Sequence, residues 1–218
     1  MQDADGLTGP IRITVPPIAA AGLLAPIMAT FRRDHPGVWF EIIASSAVVD
    51  LVGEQIDLAV RHAPITGADV VGRRIGTTSP HLYAAPAYVS ARGIPRQPGE
   101  LRDHDHVVFR PHAPGGVLRL YDADGDFRDE AIRPAMVCDD YLVIRQAVLA
   151  GMGIGVIPPF FARDDVRDKR LVPVLGRYSL KPVPVWLVSP RVSSRPARVT
   201  LFKRLLVQAL ITTSSRLD

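Results

Sequence analysis

Over its first eighty residues this chain alternates short β-prone apolar runs with segments whose apolar residues recur at helical spacing, a rhythm that few folds accommodate. Ile11 to Val15 is the first run. Leu24, Ile27, Met28 and Phe31 then fall on one helical face until His35-Pro36-Gly37 ends the pattern. Val38 to Ile43 reads as a second strand, Ala47 to Gln55 as a short helix, and Ile56 to Arg61 as a third strand that is apolar almost throughout. Strands separated by helices imply a parallel sheet with right-handed crossovers.

After Ser79-Pro80 the rhythm changes. His81 to Ala85 is strand-like, Pro86 to Arg92 reads as a short helix ended by Gly93, and Val107 to Arg110 as another strand. Val117 to Tyr121 and Phe127 to Ile132 flank Asp124-Gly125, a hairpin signal that adds antiparallel strands. Met136 to Cys138 leads into a helix with Ile144, Ala147 and Val148 on one face. Gly151 caps it and Ile154 to Ile157 follows as a strand. Leu171 to Leu175 and Val183 to Val188 are two more strands, and a last helix from Pro196 lines up Val199, Phe202, Leu206 and Leu210. There is no internal repeat and no low-complexity tract.

Composition excludes several classes. With 218 residues and 47% hydrophobic content the chain can bury a substantial core, and its twenty prolines and seventeen glycines are scattered between apolar runs rather than gathered in a disordered tract. The net charge of +4 permits contact with nucleic acid, but the basic residues are dispersed among twenty-two acids, so no concentrated phosphate-binding face is legible. Cys138 is the only cysteine, so no internal disulfide forms and nothing calls for an oxidising compartment. The most apolar stretch, Pro16 to Ala29, is proline-interrupted and shorter than the ~18 residues of a membrane span. Met1 to Asp5 carries two aspartates where a secretory leader is basic, so a cytoplasmic protein is expected.

A series of short stretches then appears in order: Gly9-Pro10-Ile11-Arg12-Ile13, Leu24-Ala25-Pro26 with Phe31 and Pro36, Val49-Asp50-Leu51, Ile56-Asp57-Leu58-Ala59-Val60-Arg61, and Ala84-Ala85-Pro86-Ala87-Tyr88-Val89. Gly93, Pro95, Pro98, Leu101 and His104 follow, and later Ala150 to Pro158 and Leu171 to Leu175. Together, from about Gly9 to Leu210, these stretches resemble the effector-binding (regulatory) domain of LysR-type transcriptional regulators. No single motif is decisive; their colinear order is.

The resemblance implies an α/β fold like that of type 2 periplasmic binding proteins: two Rossmann-like lobes joined by two crossover strands, with a small organic effector, anionic or aromatic, held in the cleft between them. Lobe one would be Gly9 to Pro80 with Trp186 to Asp218, and lobe two His81 to Val185. It also implies a homodimer or higher homo-oligomer in which the helix from Gly22 to Asp34 of one subunit packs beside that from Leu142 to Ala150 of another. The family's winged helix-turn-helix lies upstream, and only Met1 to Thr8 precede the matching stretch. DNA would therefore be contacted only through that missing N-terminal domain.

In open α/β sheets ligands collect beyond the carboxyl ends of strands. This gives Pro16, Pro17 and Ile18 after the first strand, Ser45 and Ser46 after the second, and Arg61 and His62 after the third. Phe109 and Arg110, then Asp139 and Asp140, are the equivalents in lobe two. Ser45 and Ser46 either cap the helix after them or leave its amides free for a carboxylate. Arg61 either grips an anionic effector bidentately or pairs with a neighbouring acid. His62 also suits a structural role, Arg110 a solvated strand end, and Asp139 or Asp140 a helix cap.

Three motifs fail on physical grounds. Gly151, Gly153 and Gly155 end a helix and open a strand, the reverse of the order that aims amides at a nucleotide phosphate. Asp122, Asp124 and Asp126 form a hairpin tip rather than a calcium loop, because Gly125 falls in the wrong slot and Arg133 sits where the bidentate glutamate belongs. His104 and His106 lack a third ligand and read as a turn followed by an exposed strand start. No metal or cofactor is assigned.

No nucleophile elbow, reactive cysteine motif or carboxylate pair supports an enzyme. Relatives of prephenate dehydratase or hydroxymethylbilane synthase would need a Thr-Arg-Phe signature or a cofactor-anchoring cysteine, and neither is present. The alternative is a free-standing solute-binding protein of a transporter, which shares the fold but requires export.

Overall fold

The computed structural model describes residues 7–47, 49–63, 67–191 and 195–214, with side chains to residue 210. The chain divides into two compact units, one formed by Met1–Thr77 with Pro184–Asp218 and the other by Thr78–Val183.

Unit one is built on a five-stranded sheet, among the described residues, in the order β2-β1-β3-β12-β4. Its strands are β1 (Gly9–Val15), β2 (Val38–Ala44), β3 (Leu58–Arg61), β4 (Val70–Thr78) and β12 (Val183–Pro190). β1 pairs in parallel with β2, from Gly9 opposite Val38 to Val15 opposite Ala44, and in parallel with β3. The parallel pairing expected from the alternation of the first eighty residues is formed by β1, β2 and β3, and β12 joins them antiparallel to β3 with Trp186 opposite Arg61.

Successive residues of a strand face opposite sides, so this sheet has two distinct surfaces. Ile11, Ile13, Val15, Leu58, Val60 and Leu187 form one of them, and they bury against two helical segments. The first comprises α1 (Pro17–Ala19), a π segment (Ala20–Leu24) and α2 (Ala25–Asp34). Pro26 would press its ring on the Gly22 carbonyl in an unbroken α-helix, and the wider π turn just before it relieves that contact. The second segment is α6 (Ala197–Ser214), whose Val199, Phe202 and Leu206 are fully buried, as its stripe predicts. Phe202 meets Phe31 edge-on at 5.2 Å and Phe40 at 4.8 Å between ring centroids. The other surface is covered by residues of the segment before β3, with Leu51 and Ile56 packed on Ala59 and Val188 beside Trp186.

That covering segment is a correction. No helix runs from Ala47 to Gln55, of which Val48 lies outside the described residues; only a single turn forms over 51–55. Asp50 starts the turn by accepting the Val52 amide at 3.0 Å. Gln55, at φ 55°, then closes it, and the Ile56 amide reaches back to the Leu51 carbonyl. A left-handed residue halts helix propagation there.

Unit two carries a second five-stranded sheet, among the described residues, in the order β11-β5-β10-β6-β9. Its strands are β5 (His81–Ala84), β6 (Asp105–Phe109), β9 (Arg133–Cys138), β10 (Ile154–Ile157) and β11 (Val172–Val174). β6 runs parallel to β9 and β10, while β5 runs antiparallel to β10 and β11. The hairpin β7 (Val117–Tyr121) and β8 (Phe127–Ala131) turns on Gly125 at φ 87° and stands as its own two-stranded sheet. Asp122 Oδ1 accepts the amides of Asp124 and Asp126 at 3.1 and 3.0 Å, so these acids shape the hairpin tip.

The helices of unit two are α3 (Pro86–Arg92), α4 (Tyr141–Leu149) and α5 (Pro159–Arg167). α5 and strand β4 are elements that periodicity does not announce. Buried Asp165 on α5 takes two hydrogen bonds from Arg145 of α4, at 2.6 and 2.8 Å, and pairs with Arg170. Gly151 ends α4 at φ 80°. A Cβ on Gly153 would strike the Asp105 carbonyl, and one on Gly155 the Val148 side chain, so the glycine run serves capping and close packing. His104 and His106 are corrected from exposed to buried: His104 Nδ1 meets the Tyr88 hydroxyl at 3.2 Å and His106 Nε2 the Leu101 carbonyl at 2.8 Å. No group of three metal-ligating side chains occurs among the described residues.

Candidate functional site

In unit one the C-terminal ends of β1, β2 and β3 converge on Arg61. Arg61 is only 6% exposed. Nη1 donates to the Val60 carbonyl at 2.8 Å, and Nη2 to the Thr14 hydroxyl at 2.7 Å and the Ala47 carbonyl at 3.2 Å, while Nε has no partner. Arg61 alternates with Val60, so it projects on the Ala59 side of the sheet, away from α6. No carboxylate pairs with Arg61 among the described residues, so of its two expected roles the structural ion pair is not formed. Burial lowers its pKa, yet a guanidinium keeps its proton.

A buried cation without a counterion is costly, by several kcal/mol for an ion stripped of water, and an incoming anion offsets that cost. The residues around it are arranged accordingly. The Ser45 amide extends the β1–β2 ladder by donating to Val15 at 2.9 Å, and Ser45 Oγ accepts the Ala47 amide at 3.1 Å. Ser45 and Ser46 therefore head a tight turn; the helix they were expected to cap is not formed. Pro16 and Pro17 start the helical run after β1, with the Pro16 carbonyl accepting from Ala19 and Ala20 at 2.9 and 3.0 Å, and Ile18 is buried there. His62 lies at the surface next to Arg61. Desolvation by the surrounding protein lowers its pKa and the Arg61 charge adds to this, against a hydrogen bond with the Pro184 backbone.

In unit two the expected position Phe109, at the end of β6, stacks on Tyr141 with centroids 4.1 Å apart and planes 17° from parallel. The Tyr141 hydroxyl lies 3.1 Å from His112 Nε2, and the His112 ring meets Phe109 edge-on at 5.0 Å. Burial pulls the pKa of His112 down to about 4 and pushes that of Tyr141 up, so both are neutral near pH 7. Together they form an aromatic surface with one hydroxyl and one imidazole. Arg110 is exposed and opens the short 3-10 turn that carries His112. Asp140 is the N-cap of α4, accepting the Leu142 amide at 2.6 Å, and Asp139 is exposed beside it.

The strand-end rule found Phe109 but not His112 or Tyr141. Tyr141 is one residue past the cap, and extending the rule into the first helical turn would have reached it. His112 lies in a turn whose course no local signal sets.

Comparison with known proteins decides the affiliation. The family described as LysR substrate binding domain matches residues 4–211. The chain belongs to that family. This LysR substrate-binding domain is 31% identical over 209 residues to the uncharacterized HTH-type transcriptional regulator YhjC of Escherichia coli (strain K12), an alignment covering 94% of the chain and 69% of the relative. It is 27% identical over 199 residues to an uncharacterized HTH-type regulator of Haemophilus influenzae, covering 91% and 69%. Among solved structures, the regulatory domain of CrgA from Neisseria meningitidis superposes with a TM-score of 0.81 at 23% identity, covering 93% of this chain and 99% of that one. The regulatory domain of AphB from Vibrio vulnificus gives 0.78 at 23%, covering 94% and 100%.

The domain thus has the fold of type 2 periplasmic binding proteins. These sequence relatives are HTH-type transcriptional regulators. No helix among the described residues is long and apolar enough to cross a membrane.

Proposed function

We propose that this LysR substrate-binding domain senses a small organic anion for a transcription regulator, with Arg61 as the anchor for the anionic group. The observation that carries this is the buried Arg61 guanidinium, which has no carboxylate among the described residues and leaves Nε unsatisfied. Ser45 and Ser46 supply polar groups at the neighbouring strand end. In unit two, considered by itself, the Phe109–Tyr141 stack with His112 offers a flat apolar surface suited to a ring-bearing ligand.

An effector that binds one state of the domain better than another shifts the population by that differential affinity, and a DNA-binding domain elsewhere in the full regulator reads the outcome. Self-association completes the reading: α4 exposes Leu142 and Val143, apolar side chains suited to a partner subunit. Sedimentation showing only a 23.7 kDa species at micromolar concentration contradicts that part.

Calorimetric titration with a panel of aliphatic and aromatic carboxylates tests the site. A carboxylate that binds the parent should bind Arg61→Gln about tenfold or more weakly, since a charge-assisted hydrogen bond is lost. Equal affinity of the parent and Arg61→Gln for the same effector overturns the assignment.

A further inference from the structure

We propose that unit one carries a second anion site, in the groove between α6 and the β12–β4 side of its sheet, which takes a small multivalent oxyanion. The groove has a volume of about 590 Å3 and is lined by Arg73, Arg195, Lys203 and Arg204 together with Thr200 and Val207. Among the described residues no Asp or Glu lines it, and the sequence of α6 contains none from Ala197 to Ser214.

The sequence scatters these cations, so no concentrated basic face is legible in it, and the fold gathers four of them around one groove. α6 turns Val199, Phe202, Leu206 and Leu210 into the core, which places Thr200, Lys203, Arg204 and Val207 at i, i+3, i+4 and i+7 along an adjacent stripe. Arg73 arrives from β4. The Cα of its neighbour Gly72 faces Trp186 and Val188, so Arg73 projects from the opposite surface of the sheet, toward α6. Arg61 projects on the Trp186 side, so the two cationic centres lie on opposite surfaces of the sheet.

The partners these cations do have are neutral. Lys203 Nζ donates to the Ser189 hydroxyl at 3.0 Å, and Arg195 donates to the Pro190 carbonyl. The side chains of Arg73 and Arg204 are exposed and make no hydrogen bond or ion pair among the described residues. Partial burial, and then the charges of Arg195 and Arg73, lower the pKa of Lys203, as expected where like charges crowd without a counterion. Clustered anionic oxygens would neutralise several of these groups at once. The volume falls in the small-molecule range of about 300–1,000 Å3, whereas a nucleic-acid backbone calls for cations strung along an extended stripe.

Two probes test the site on the 218-residue chain: sodium tripolyphosphate and citrate, titrated separately by calorimetry at low ionic strength. At least one should bind with one-site stoichiometry, and about tenfold or more weakly to the Arg73→Gln/Arg204→Gln double variant. Both positions are exposed, so an unchanged thermal midpoint certifies the fold of that variant. Arg61→Gln should bind the probe as the parent does; loss of binding there overturns the separate site. The chain has three lysines, Lys169, Lys181 and Lys203, and the bound probe should shield only Lys203 from acetic anhydride. The proposal is overturned if neither anion binds, if the double variant binds like the parent, if Lys203 is labelled equally with and without the probe, or if duplex DNA alone binds.

Discussion

Arg61 donates from Nη2 to the fully buried hydroxyl of Thr14 at 2.7 Å, which fixes the guanidinium of β3 against the strand beside it. Without that acceptor a buried donor is left unmet, at a cost of about 1–3 kcal/mol. Thr14→Val keeps the shape and removes the hydroxyl. Urea denaturation should therefore show a stability loss of about that size, and any carboxylate effector should bind more weakly as Arg61 is freed to turn. An unchanged midpoint and unchanged affinity would show that the bond orients nothing.

Asp165 performs the equivalent task in unit two. Its fully buried carboxylate joins Arg145 of α4 to Arg170 beyond α5. Asp165→Ala breaks a buried pair, for which about 3–5 kcal/mol is usual. The lower end is expected, because the Arg170 side chain is 54% exposed and recovers water when its partner is gone. Thermal and urea midpoints should both fall, and a loss below about 1 kcal/mol would contradict the account.

Acid should weaken unit two through His112. Its folded pKa is about 4 against an ordinary 6.5, so between those values the unfolded chain binds the proton and the folded one does not. Stability is then fully present above pH 6.5 and is lost as the pH falls toward 4, by roughly 2–3 kcal/mol from this residue. His81 and His106, whose pKa values burial also lowers, add a slope of the same sign. Urea midpoints at pH 7 and pH 4.5 should differ less in His112→Asn than in the parent, and parallel shifts in the two proteins would remove His112 as the cause.

What the sequence reveals and conceals follows from the range of each signal. β1, α2, β2 and α6 were legible because their apolar spacing is local, and Phe202 sits where its stripe places it. The turn at 51–55 was misread as helix because Gln55 adopts a left-handed conformation that no neighbouring residue demands. Placing β12 beside β3 needs a strand more than 120 positions away to return to the first unit, and no periodicity records that. Arg61 was legible as a candidate because it ends a strand. The Tyr141–His112 contact and the basic groove were not found, since the first joins positions 29 apart and the second joins β4 to α6.

The glycine run after α4 offers the sharpest separation between packing and ligand binding. If Gly151, Gly153 and Gly155 cradled a nucleotide, substitutions would weaken binding and leave the fold largely intact. The structure requires the reverse. A Cβ at Gly153 meets the carbonyl and carbonyl carbon of Asp105 and the amide of His106, all backbone of β6, which cannot move without disturbing its pairing with β10 and β9. At Gly151 a Cβ meets only the Tyr88 amide nitrogen, at an ordinary 4.0 Å, and the cost of alanine is that of the φ of 80°, about 1 kcal/mol. Gly153→Ala should therefore destabilise the chain by more than about 2 kcal/mol, well beyond Gly151→Ala, in urea denaturation. Equal effects at the two positions would mean that β6 yields to the added carbon, and the close approach of these strands would then not be what the glycine serves.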